Sequence, residues 1–86
     1  MRFRISGHAY NEMREREIPS EMVENLMTSP QQIVPEYGGK TAYQSQFLFE
    51  NGKIYLLRAI VDELADPCVV VTVYRTSKIG KYWRQP

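Results

Sequence analysis

The chain of 86 residues holds one cysteine, Cys68, one histidine, His8, and one tryptophan, Trp83. A single cysteine excludes an internal disulfide and a cysteine-based metal site, and beside Val69, Val70 and Val71 it reads as a small buried hydrophobe. A single histidine excludes a His-x-x-x-His pair, and Asp62, Glu63 and Asp66 lack the spacing of a cation-binding loop. The sequence therefore requires no metal and no cofactor. No apolar run approaches the roughly 20 residues of a membrane-spanning helix. Met1 to Ser6 carries basic residues without an apolar stretch behind them, which is not a secretory signal. The expectations are a cytoplasmic address and no membrane partner.

Charge of one sign is also scarce, since the net charge is only +1. Its distribution is uneven: Arg75, Lys78, Lys81 and Arg84 stand in the last twelve residues with no acid, leaving −3 for the remainder. Tyr74, Tyr82 and Trp83 are interleaved with these cations, a combination that suits a phosphate backbone with unstacked bases. Arg75, Lys78, Lys81, Tyr82, Trp83 and Arg84 are accordingly candidate nucleic-acid contacts. The bland alternative is a strand end whose aromatics cover a small core. Glu12, Glu15, Glu17, Glu21 and Glu24 exclude the outer helix surfaces from any RNA-binding face.

The length allows one domain, over residues 1–86, with the cationic aromatic segment at 74–86. A chain this short buries only about 60 to 65% of its unfolded surface, so a partner or a homodimer is a candidate source of further burial. Arg2 to Ser6 alternates polar and apolar residues and predicts a short strand. Ser6 caps a helix running to about Glu17, with Ala9, Tyr10 and Met13 on its buried side. After Pro19, Ser20-Glu21 starts a second helix that buries Met22, Val23, Leu26 and Met27 and ends at Ser29-Pro30. Gln31 to Tyr37 predicts a strand that Pro35 marks as an edge or a bulge, and Gly38-Gly39 turns the chain. The predicted fold is α+β, a helical hairpin packed on a mainly antiparallel, twisted sheet of about four strands.

From Thr41 the apolar period is two, and Asn51-Gly52 predicts a hairpin. A two-residue loop would oppose Phe49 to Ile54, Phe47 to Leu56, Ser45 to Arg58 and Tyr43 to Ile60; an odd loop would reverse this parity. Arg58 lies among Leu57, Ala59 and Ile60 in mid-strand, so it either pairs with an acid, Asp62, Glu63 or a helix glutamate, or opens onto a ligand surface. Cys68 to Arg75, rich in Val and Thr, reads as a central strand on which Thr72 and Tyr74 share one face.

His8, Glu12 and Arg16 are spaced to form one stripe of the first helix. The stripe combines a proton-transfer group, a carboxylate and a phosphate-binding cation. It is also what an ordinary solvated helix face contains.

His8-Ala9 with Met13, Arg16 and Ile18, followed by Val23, Leu26 and Pro30, resembles the opening H-A-x-x-R-M-x-x-R-x-I of a small uncharacterised prokaryotic domain family. Leu57 to Asp62 and Val71 to Arg75 resemble that family's later strands, and where its pattern has an arginine after the His-Ala pair this chain has Asn11-Glu12. The layout is also similar to the RelE/ParE toxins and the BrnT ribonuclease toxins. That resemblance implies a metal-independent endoribonuclease, cleaving RNA through the ribose 2′-hydroxyl and inhibited by an antitoxin protein. Such chemistry needs a base, an acid and a cation for the phosphate. His8, Arg16, Arg58 and Tyr74 are the candidates for those roles. Two alternatives remain: a non-catalytic module binding RNA or protein through its tail and an open sheet face, and a homodimeric regulatory domain.

Overall fold

The computed structural model describes residues 2–85. The order of elements is β1 (Phe3–Ile5), α1 (Gly7–Glu15), α2 (Ser20–Thr28), β2 (Gln32–Pro35), β3 (Thr41–Leu48), β4 (Ile54–Asp62), β5 (Cys68–Thr76) and α3 (Ile79–Tyr82). The fold is α+β, as its sequence pattern predicts, but the sheet has five strands in the order β1-β5-β4-β3-β2. It is mixed, because β1 runs parallel to β5 while every other pair is antiparallel. The strand of Val and Thr, β5, is one place from the edge; β4 is the central strand. Among the described residues no helix is long and apolar enough to cross a membrane.

Ser6 determines how the first helix begins. Its Oγ accepts from Ala9 N at 3.1 Å as the N-cap and donates to Val71 O at 3.3 Å, while its own N–H donates to Val70 O at 3.0 Å. One residue thus starts α1 and ties it to β5. The helix stops at Glu15, before the predicted Glu17, because Glu17 takes a left-handed conformation (φ 53°) that turns the chain toward Pro19. Pro19 then precedes α2, and the two helices lie on one face of the sheet.

The core between these layers consists of Ala9, Met13, Ile18, Val23, Leu26 and Met27 from the helical side, against Tyr43, Leu57, Ala59, Val61, Val70 and Val73 from the strands. Tyr10, expected on the buried side, is 53% exposed: the helix has a narrow apolar stripe that Ala9 and Met13 already fill. Met22 and Cys68, also expected inside, are half-buried at the margin.

The hairpin register departs from the two-residue expectation. Leu48 opposes Ile54 and Gln44 opposes Arg58, while Gly52 N–H donates to Phe49 O at 2.9 Å. The loop is therefore three residues, Glu50-Asn51-Gly52, with Gly52 at φ 81° absorbing the extra residue. This odd length reverses the parity. Tyr43 and Phe47 face the helices, and Arg58 projects from the opposite face beside Gln44. The expected pairing of Arg58 with Ser45 is replaced accordingly.

Candidate functional site

On the face of the sheet away from α1 and α2, four strands place polar residues side by side. Gln32 of β2 opposes Gln44 of β3, Gln44 opposes Arg58 of β4, and Arg58 opposes Tyr74 of β5. Arg58 is 3% exposed and Gln44 is fully buried, so each needs bonded partners to remain there. Arg58 Nε donates to Gln44 Oε1 at 2.8 Å, and Gln44 Nε2 donates to Gln32 Oε1 at 2.7 Å and to Tyr82 O at 3.1 Å. Arg58 Nη1 donates to Glu36 Oε2 at 3.1 Å and to the Tyr74 hydroxyl. Among the described residues no buried side-chain nitrogen or oxygen lacks a partner.

The counter-ion of Arg58 is therefore Glu36, and not Asp62, Glu63 or a helix glutamate. Glu36 follows edge strand β2, and its N–H donates to Lys40 O at 2.9 Å across a turn closed by Gly38 and Gly39, both with positive φ. Above the guanidinium lies the Tyr82 ring, whose centroid is 4.3 Å from Arg58 Cζ; the Tyr74 ring lies at 5.7 Å. Burial pushes the Tyr74 hydroxyl above its ordinary value, as does the Tyr82 hydroxyl, and hydrogen bonding to Arg58 offsets part of this. Tyr74 thus keeps its proton at neutral pH while its oxygen accepts from Arg58.

The C-terminal segment belongs to this site through its backbone. Tyr82 O accepts from Gln44, Arg84 N donates to Gln32 Oε1 at 3.1 Å, and Gln32 Nε2 donates to Arg84 O at 2.7 Å. Tyr82 and Trp83 are half-buried, whereas the side chains of Lys78, Lys81 and Arg84 are exposed around the covered arginine. Arg75 is separate from this group. Its neighbours across the sheet are Leu57 and the rings of Phe49 and Tyr55, so it projects from the helix-bearing face.

His8 and Arg16 do not join Arg58. Both pair with Glu12 on α1, His8 Nε2 at 3.4 Å from Oε1 and Arg16 Nη2 at 3.8 Å from Oε2. Glu12 Oε1 also accepts from Val73 N at 3.3 Å, where β5 extends past the end of β1 and exposes its edge. The stripe therefore caps a strand edge, and the His8 side chain is 69% exposed to water beside it. The sequence pattern identified Arg58 and Tyr74, which the sheet brings together. It missed Glu36, Gln44 and Gln32, because only strand pairing and a loop closure bring them there. A buried cation implies a carboxylate, but not which one.

An α+β domain with a tyrosine-flanked arginine ion pair, on the sheet face opposite its helices, is the class defined by this fold and site. The chain belongs to the family DUF4258, a domain of unknown function, which it matches over residues 5–75. No curated protein and no solved structure matches it.

Proposed function

We propose that this protein is a metal-independent endoribonuclease of toxin type, with Arg58, Tyr74 and Glu36 as its reactive groups. The observation carrying this reading is that one nitrogen, Arg58 Nη1, bonds both a carboxylate and a protonated phenol. Base, acid and phosphate-stabilising cation are the three parts that cleavage by a 2′-hydroxyl needs. The 2′-oxygen attacks the adjacent phosphorus, the 2′-proton passes to Glu36, the bond from phosphorus to the 5′-oxygen breaks, and Tyr74 protonates the departing oxygen. Arg58 holds the non-bridging oxygens. Glu36, whose side chain is 30% exposed, withdraws from Arg58 to admit the phosphate. The exposed Lys78, Lys81 and Arg84 would hold flanking phosphates, and Tyr82 and Trp83 would stack bases. In this reading His8 and Arg16 serve α1 and the β5 edge, not the reaction. The resemblance to RelE-type toxins adds the expectation of an antitoxin.

The test is induced expression of the wild-type chain beside Arg58→Ala, Tyr74→Phe and His8→Ala, with growth and cellular RNA integrity followed together. Wild-type arrest with fragmented RNA is expected, with cleavage lowered about 100-fold by Arg58→Ala and little changed by His8→Ala. Intact RNA with soluble wild-type protein would sink the nuclease. A second reading, a protein-binding module or homodimer, is favoured by one observation. Leu48 and Ile54, opposed across the hairpin on the Arg58 face, are both more than half exposed.

A further inference from the structure

Arg75 is a cation on the apolar side of the sheet. Strand alternation gives it the same face as Val73, directly across from buried Leu57. A guanidinium there would ordinarily be matched by a carboxylate. Instead its Cζ lies 4.6 Å from the Phe49 centroid and 4.8 Å from that of Tyr55, two rings that are themselves 5.2 Å apart and nearly perpendicular. Among the described residues no acceptor is bonded to its guanidinium and no acid pairs with it. Two rings therefore pack against the cation while its N–H groups stay unused by the described residues, which leaves them available to an oxyanion.

Arg75 lines a cleft of about 540 Å³ together with Glu17, Pro19, Met22 and Glu50. That volume is within the range of small-molecule sites, about 300–1,000 Å³. Glu17 stands at the cleft wall because of its left-handed backbone, the one positive φ at a non-glycine position among the described residues. Two carboxylates lining the cleft with one guanidinium repel a polyanion such as RNA, and neither forms an ion pair with Arg75. The lining fits a ligand with one oxyanion for Arg75, a cationic group directed to Glu17 and Glu50, and an apolar part for Pro19 and Met22.

We propose that this cleft is a second binding site, which takes a small zwitterion of amino-acid type, a carboxylate with an ammonium group a few bonds away. It is independent of the Arg58 reading, since the two arginines project from opposite faces of the sheet.

The experiment is a titration of the full chain with L-leucine, reading the Arg75 side-chain Nε–Hε resonance by NMR, with sodium acetate and inorganic phosphate as comparison probes. A saturable shift with leucine is expected at concentrations where acetate and phosphate leave the resonance unsaturated. Arg75→Gln should abolish binding, read from the backbone amides of residues 50–52, and Glu17→Gln should weaken it about fivefold through loss of one partly exposed ion pair. The proposal is overturned by an absence of saturation with leucine, by acetate or phosphate binding as tightly, or by unchanged affinity in Glu17→Gln. Glu17 is exposed, so that variant keeps the test decisive if Arg75→Gln fails to fold.

Discussion

Arg58 keeps its charge inside a sheet because Nε and Nη1 donate to three different kinds of acceptor: the Gln44 amide, the Glu36 carboxylate and the Tyr74 phenol. Removing one partner from such a cluster leaves the cation unbalanced, whereas the reverse change leaves Glu36 able to reach water. Glu36→Ala should therefore cost about 3 kcal/mol, the low end for stranding a buried charge, because Arg58 keeps Gln44 and Tyr74 as acceptors. Glu36→Gln, which retains an acceptor oxygen, should cost less. Urea denaturation of the two variants checks this, and an Ala variant as stable as wild type would mean that Glu36 does not hold Arg58. At this scale the cation was legible in the sequence, since an arginine between Leu57 and Ala59 breaks an apolar strand. Its counter-ion was not, because Glu36 is 22 positions away in a loop whose closure depends on Gly38 and Gly39.

The hairpin between β3 and β4 decides on which face that arginine emerges. Asn51-Gly52 marked the turn correctly, but a dipeptide does not state whether two or three residues leave the ladder. One added residue transfers every side chain of β4 relative to β3. The three-residue loop depends on Gly52 at φ 81°, where a Cβ meets no neighbouring atom. Any cost of Gly52→Ala is therefore conformational, about 1 kcal/mol, and a thermal melt showing no loss would contradict the assigned turn. The helices were easier to read. Ser6, the predicted cap, is the observed one, and Ser6→Ala should cost about 1 kcal/mol, measured by the same melt, through loss of the bond to Ala9 N. What the periodicity did not reveal was β1 joining β5 in parallel. Three residues carry too short a pattern to state a partner, and the partner strand lies some 65 positions further along the chain, as Phe3 paired with Cys68 shows.

Taken as a whole, the molecule is a sheet covered unequally, by two helices on one face and by the short C-terminal segment on the other. Its stability is therefore spread among ties at the margins as well as in the core. Tyr43 connects the two, with its ring in the core and its hydroxyl donating to Glu63 Oε2 at 2.8 Å, while Thr41 Oγ1 donates to Glu63 Oε1 at 2.7 Å. Burial, with Glu63 beside it, pushes Tyr43 up to about 12 from 10.0, and these two hydrogen bonds hold Glu63 below 4.5. For Tyr43 the folded value exceeds the unfolded one, so its contribution is complete below pH 10.0 and is lost as pH rises toward about 12. Tyr74 and Cys68, both raised chiefly by burial, add to the same alkaline loss. For Glu63 the sign is opposite: its contribution is complete above 4.5 and is lost as pH falls through its lowered folded value. Denaturation midpoints measured across pH should therefore form a plateau that falls at both ends. Tyr43→Phe should shrink both limbs together, since it removes the ionising phenol and one donor to Glu63. If the acid limb of Tyr43→Phe matched that of wild type, the Tyr43–Glu63 bond would not be what ties β3 to the turn after β4.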